Sequence, residues 1–279
     1  MTHLERTDRV NWSTLKHIST SPKHYLHNLA TPRTDSEALL LGRLTHCAVF
    51  EPGAVDERYI VSPRFNRAMN DDTATARGYD GGKQAAASWL ASCGTREVVE
   101  LDIMLRATSM RDAIMADPIA KPYVTSGWSE RKIEWTDVDT GIQCRGRVDH
   151  VNGCLSDLKT TRSIVTCERD AAKFGYHAQL AWYADGLEAA MIHTYGPPVL
   201  IFVENVAPYD VLVLVFEPDD VAVGRRVYRR GLDRLAECRR SGIWPGVSGG
   251  VARRVVLPPW ADPIMDEMEV TIDGEKVKL

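Results

Sequence analysis

The chain has 279 residues, enough to bury a sizeable core as one elaborated domain or two small ones. Its 44% hydrophobic and 26% charged residues are ordinary for a globular protein, and no apolar run is long enough to span a bilayer. The formal net charge of −4 excludes a globally basic nucleic-acid binder, so any phosphate contact must come from a local cluster of Lys and Arg. The six cysteines form no CxxC pair, and free thiols in a reducing cytoplasm are expected.

In chain order, "NWSTLKHISTSPKHYLHNL" reads as a short helix capped by Asn11 or Ser13, a break at Pro22 and a second helix. "TPRTD" is a linker. "SEALLLGRLTHCAVFEP" reads as one helix, with Ser36 as N-cap and Pro52 just past its end. "SPRFNRAMNDDTATARGYDGG" is polar and Gly-bearing, and a long mobile loop is expected there. "KQAAASWLASC" and "LDIMLRATSMRDAIMAD" are two more helices. At Gly127 the pattern changes to short bursts, "SERKIEWTD", "IQCRGRVDHV" and "CLSDLKTT", separated by the turn signals "DTG" and "NG". These predict three antiparallel strands. One long helix is expected over "CERDAAKFGYHAQLAWYADGLEAAM", then strands at "PPVLIFVENVAP" and "YDVLVLVFEP". A last long helix follows, started by Asp219 or Asp220, and the tail after Trp244 is weakly patterned. The expectation is a single α/β domain: a mainly helical part over 1–125, a core of mixed sheet flanked by helices over 126–240, and a tail over 241–279.

The candidate chemistry lies in "GRVDHVNGCLSDLKTT". Residues two apart on a strand share a face, so Asp157 and Lys159 project together, and the "VNG" turn can bring Asp149 beside them. Two adjacent carboxylates repel unless a cation lies between them, and hard divalent ions take such oxygens. A surface hairpin with Asp and Lys paired in solvent fits the same spacing. Two helical pairs four residues apart share faces as well: Gly42 with His46, and Gln179 with Tyr183. Taken singly, each also fits an ordinary packed helix.

In chain order, G-x-x-x-H, R-V-D, D-x-K-T and Q-x-x-x-Y together resemble the PD-(D/E)XK nuclease superfamily, in its RecB-type branch. "STLKHISTSPKHYL", "ALLLGRLTHCAVFEP", "MRDAIMADPIA", "SERKIEW" and "FGYHAQLAWYADGL" extend the resemblance toward phage and prophage exodeoxyribonuclease VIII, the RecE-type proteins, over roughly residues 11 to 240. The resemblance implies His46, Asp149 and Asp157 as side-chain metal ligands, with the Leu158 carbonyl as a backbone ligand. It implies Lys159 as the group that positions the attacking water, Gln179 and Tyr183 as completing the site, and Mg²⁺ or Mn²⁺ as the ion. Glu130 resembles a family acidic position, where a second metal or the terminal phosphate would bind; a solvated strand end is the alternative. Only Cys238 lies in the C-terminal region, so the cysteine cluster of the iron–sulfur members is missing and no such cluster is expected.

For the DNA path, Arg226, Arg229, Arg230 and Arg234 fall near one face of the last helix, which also fits a solvated face or a subunit contact. Arg64, Arg67, Arg77 and Lys83 in the polar stretch after the His46 helix are the second candidate. The implied activity is a processive 5′→3′ exonuclease on double-stranded DNA ends, producing 3′ tails for a single-strand annealing protein in the bacterial host cytoplasm. A cyclic homo-oligomer, trimer or tetramer, is the expected assembly. The alternatives are a structure-specific or endonucleolytic enzyme of the same superfamily, or a non-catalytic DNA-binding component of a recombination complex.

Overall fold

The computed structural model describes residues 9–32, 34–252, 254–261, 269–272 and 275–278. Its strands are β1 (Arg9–Val10), β2 (Tyr59–Val61), β3 (Glu97–Val99), β4 (Trp128–Thr136), β5 (Gln143–Asn152), β6 (Cys154–Thr161), β7 (Val199–Glu204), β8 (Val211–Val215), β9 (Glu269–Ile272) and β10 (Glu275–Lys278). The helices are α1 (Trp12–Leu15), α2 (Pro22–Ala30), α3 (Glu37–Phe50), α4 (Val55–Arg58), α5 (Asp71–Ala76), α6 (Lys83–Ser92), α7 (Leu101–Ala116), α8 (Cys167–Lys173), α9 (Tyr176–Ala189) and α10 (Pro218–Ser241). Six strands form the central mixed sheet, in the order β1-β5-β6-β7-β8 with β4 on the other edge of β5.

Alternation along the strands divides the core. Leu158, Val199, Ile201 and Val203 pack under α3 and α7, against Leu44, Met110 and Ile114. Val148, Leu155, Leu200 and Phe202 face α8 and α9 on the opposite side, against Leu180 and Leu187. A third layer lies outside α9, where Trp182 meets Trp12, Leu15, Ile18, Tyr228, Leu232 and Leu235 of α1, the following turn and α10. The mixed α/β architecture expected from the sequence is the one observed. Among the described residues no helix is long and apolar enough to cross a membrane. All six cysteines are free and buried.

Local signals set most boundaries. Asn11 caps α1, accepting the Thr14 N–H at 2.9 Å, and Ser36 caps α3, accepting the Leu39 N–H at 3.3 Å. Four expectations are corrected. The long helix over 167–191 is two helices, because Gly175 adopts a left-handed φ of 73° that interrupts the turn between α8 and α9. The stretch over 62–82 is ordered rather than loose. It contains α5, capped by Asn70, and Asp71 accepts the N–H groups of Gly82 at 2.9 Å and Ala85 at 3.1 Å. The last helix begins at Pro218, with the Asp220 carboxylate accepting the Glu217 N–H at 3.1 Å. The tail carries the antiparallel pair β9–β10.

Candidate active site

The site forms where two paired strands separate. β5 and β6 are antiparallel at His150↔Ser156, Val151↔Leu155 and Asn152↔Cys154, and continuing that register would set Asp149 against Asp157. Like charges directly opposite each other are unfavourable, and the pairing stops there. At its other end the same edge of β5 pairs with β1, at Arg9↔Gln143 and Val10↔Cys144. Between the two contacts, side chains serve backbone groups. Trp182 Nε1 donates to the Arg145 carbonyl at 3.1 Å, and Asp149 Oδ2 accepts the Leu158 N–H at 2.9 Å. That bond fixes the Asp149 carboxylate in the mouth of the fork.

Helix α3 crosses above it. His46 Nε2 donates to the Leu158 carbonyl at 2.9 Å, which leaves Nδ1 facing Asp149 Oδ2 at 3.5 Å and Glu130 Oε1 at 4.0 Å. Ligand atoms of His46, Glu130 and Asp149 all lie within 4.8 Å of one another. Glu130 lies in β4 between Ser129, paired with His150, and Arg131, paired with Val148; its φ is +54°. A non-glycine residue in that region is strained, and such strain is concentrated at functional sites. Burial, and then the neighbouring Asp149, push the Glu130 carboxyl above its ordinary value. Arg147 clamps Glu130 from outside and reaches Glu51 at 3.6 Å.

Asp157 is fully buried, and beyond the Lys159 ammonium that meets its Oδ2, its oxygens have no hydrogen-bond partner among the described residues. Burial raises its carboxyl to about 6, with Lys159 opposing that shift and Asp149 adding to it. Burial pushes the Lys159 ammonium down, but Asp157 and Asp149 together more than offset this, and its pKa is raised overall. Lys159 Nζ also lies 5.1 Å from the centre of the Tyr176 ring. On α9, Gln179 Nε2 donates to Tyr183 Oη at 3.1 Å. Tyr183 lies so close to β5 that a Cβ on Gly146 would stand 2.9 Å from its ring, a close approach that only glycine allows.

The structure thus brings His46, Asp149 and Leu158 together, adds Glu130, and turns Asp157 toward Lys159 just outside the metal-ligand cluster. The donor set suits a hard divalent ion such as Mg²⁺ or Mn²⁺: two clustered carboxylates, a peptide carbonyl, one imidazole, and a buried carboxylate short of hydrogen-bond donors. Sequence reasoning missed the residues around this set. The cleft of about 470 Å³ is also lined by Arg43, Glu51, Arg58, Arg147 and Tyr176. The period-2 signal was available for Arg147, which shares a face with Asp149 in "RVD".

None of the eight cations expected on the DNA path lines this cleft. Arg64, Arg67, Arg77 and Lys83 belong to the segment between β2 and β3, where the Arg64 guanidinium stands 5.9 Å from the Tyr79 ring centre. Arg226 is exposed on α10. Arg229 is committed to Asp137 and, at 2.7 Å, to Asp139 of the β4–β5 turn, so it fastens α10 to the sheet. Arg230 and Arg234 border a small cavity over Trp12, Leu15 and Ile18.

Residues 11–253 match the family described as a PDDEXK-like domain of unknown function. The chain belongs to that PDDEXK-like family. A crystal structure from Eubacterium rectale, described as a "Putative exonuclease", superposes with a TM-score of 0.62 at 14% identity, covering 95% of this chain and 94% of that one. At that identity the likeness is one of fold. A second structure, SSO0001, has a TM-score of 0.29 at 12% identity, over 80% of this chain and 85% of its own, and carries no argument. No curated protein matches. Membership of the PDDEXK-like family, together with this cluster, supports nuclease activity, and PD-(D/E)XK nucleases use divalent metals.

Proposed function

We propose that the protein is a Mg²⁺- or Mn²⁺-dependent exodeoxyribonuclease that degrades duplex ends processively in the 5′→3′ direction. The 3′ single-stranded tails it leaves serve a single-strand annealing protein in phage-type recombination. The observation that carries the nuclease reading is the convergence of His46, Glu130 and Asp149 within 4.8 Å, beside the buried Asp157–Lys159 pair. The 5′→3′ direction and the partner rest on the RecE-type resemblance of the sequence. So does the cyclic trimer or tetramer, which would supply processivity by encircling the DNA.

In this reading His46, Asp149, Glu130 and the Leu158 carbonyl would hold the ion, with Asp157 kept against Lys159 beside it. When bound, a divalent ion lowers the pKa of water and offsets charge on the phosphoryl oxygens. The chain's own groups do the rest. The Leu158 N–H keeps Asp149 aimed into the fork, and Arg147 holds Glu130 against its strained backbone. The Lys159 ammonium, steadied by Asp157 and the Tyr176 ring, donates toward the attacking water and the non-bridging phosphate oxygens where negative charge builds. Tyr183, held by Gln179 and near enough to Asp157 and Asp149 to feel their charge, keeps the reacting groups in register.

A structure-specific endonuclease would use the same cluster, so the substrate decides between the readings. Linear duplex labelled separately at its 5′ and 3′ ends, and covalently closed circles, are incubated with the protein and Mg²⁺. The proposal requires early release of the 5′ label as mononucleotides and survival of the circles. Circles cut as fast as linear DNA would establish the endonuclease instead.

A further inference from the structure

The face of the β4–β5 ribbon that carries Glu130 and Asp149 continues past them as a ladder of charge. Register pairs Lys132 with Arg147 and Glu134 with Arg145. The intervening Ile133 is buried in the core on the α9 side, and Gly146 abuts Tyr183, so the four charged side chains share the other face. Each level lies two residues beyond the last, a rise of about 6.8 Å, close to one nucleotide step along an extended strand. Glu134 is occupied by Arg9 at 2.8 Å. Lys132 and Arg145 are exposed, and neither has a carboxylate partner among the described residues. A cavity of about 390 Å³ opens here, lined by Asn11, Trp12, Lys132, Arg145, Arg147 and Tyr183. Arg147 also lines the catalytic cleft, so the two hollows adjoin at its side chain.

We infer that this ribbon face is the track for one nucleic-acid strand next to the scissile phosphate, an inference that rests on the nuclease reading above. With Glu130 and Asp149 at the reacting phosphate and Arg147 holding Glu130, Lys132 meets the next phosphate along and Arg145 the one after. The recognition is of backbone charge and spacing, with no base edge read. It also accounts for how a chain of net charge −4 holds a polyanion beside three carboxylates: Lys132 and Arg145, exposed and without a carboxylate partner among the described residues, extend the line out of the cleft.

The test is the salt dependence of binding. Anisotropy of a fluorescein-labelled duplex with a single-stranded tail is measured in Ca²⁺ across a salt series, for the full-length wild type, Lys132→Ala/Arg145→Ala and Arg226→Ala/Arg230→Ala. Each phosphate contact removed flattens the log K against log[salt] slope by roughly 0.7 to 0.9. The ribbon variant is therefore expected to lose about 1.5 of slope and about tenfold in affinity at low salt. The α10 variant keeps the wild-type slope. Both substituted pairs are exposed, and unchanged thermal melts confirm folding. A neutral methylphosphonate one or two linkages from the cut should weaken wild-type binding and leave the ribbon variant indifferent. If wild type cleaves DNA while the ribbon variant retains its slope, or if the α10 variant loses slope instead, the track is wrong and the nuclease reading stands. Wild type that neither binds nor cleaves overturns both.

Discussion

Replacing Lys159 with methionine removes the ammonium that meets the buried Asp157 carboxylate. Breaking a buried ion pair commonly destabilises by about 3–5 kcal/mol, because a charge is left without compensation. Asp157 has an escape: it can take up a proton. Its carboxyl already titrates at about 6 in the folded protein, against 3.8 as the ordinary value. Protonating it at pH 7 therefore costs only roughly 1 kcal/mol. In the wild type the contribution of Asp157 to stability is therefore greatest below pH 3.8, is lost as pH rises through about 6, and is flat above it. In the variant the folded state keeps the proton to higher pH while the unfolded state ionises. The stability difference should therefore be small at pH 6 and grow by roughly 1 kcal/mol with each further pH unit, through pH 7 to pH 8. Urea unfolding at these three pH values, in EDTA, reads it directly. A constant penalty of about 3–5 kcal/mol at all three would refute the reasoning, because Asp157 would then remain ionised without its partner. The same substitution should slow cleavage by about two to three orders of magnitude.

Gly146→Ala would set a methyl 2.9 Å from the Tyr183 ring and 3.3 Å from Ile133 Cγ1, so a loss of about 1–3 kcal/mol in chemical denaturation is expected, with slower cleavage as Tyr183 is displaced. Arg229→Ala should lower stability by about 2 kcal/mol through loss of the Asp137 and Asp139 contacts, and leave the salt slope of DNA binding unchanged; a flattened slope would restore Arg229 to the DNA surface. Mn²⁺ at about a hundred times its Kd should stabilise the wild type by about 2.7 kcal/mol in thermal melts. Glu130→Gln/Asp149→Asn should lose most of that gain, and an undiminished gain would place the ion elsewhere.

Strand patterning and capping chemistry made the sheet and most helices legible in the sequence, because Asn11, Ser36 and the "NG" turn act over a few residues. The exceptions depend on contacts remote in sequence. β1 exists because it fills the edge of β5 left when β6 diverges. The stretch over 62–82 is ordered by Asp71 bonding to backbone eleven and fourteen residues on. The spacing of Asp149, Asp157, Lys159 and His46 signalled a site. The rotation of Asp157 onto Lys159 and the strained Glu130 follow from packing that local pattern does not encode. On the basic run of α10, composition does not show that Arg229 is taken up by Asp137 and Asp139, which the fold brings in from the β4–β5 turn, while Arg226 and Arg230 stay exposed.

The most direct test of the central claim is single-turnover cleavage of linear duplex DNA by wild type and Asp149→Asn, each with Mg²⁺, Mn²⁺ or EDTA. If His46, Glu130 and Asp149 hold the catalytic ion, wild type cleaves with either metal and not in EDTA, while the folded Asp149→Asn variant is inactive with both. Cleavage by wild type in EDTA, or near wild-type rates for Asp149→Asn, would contradict the account.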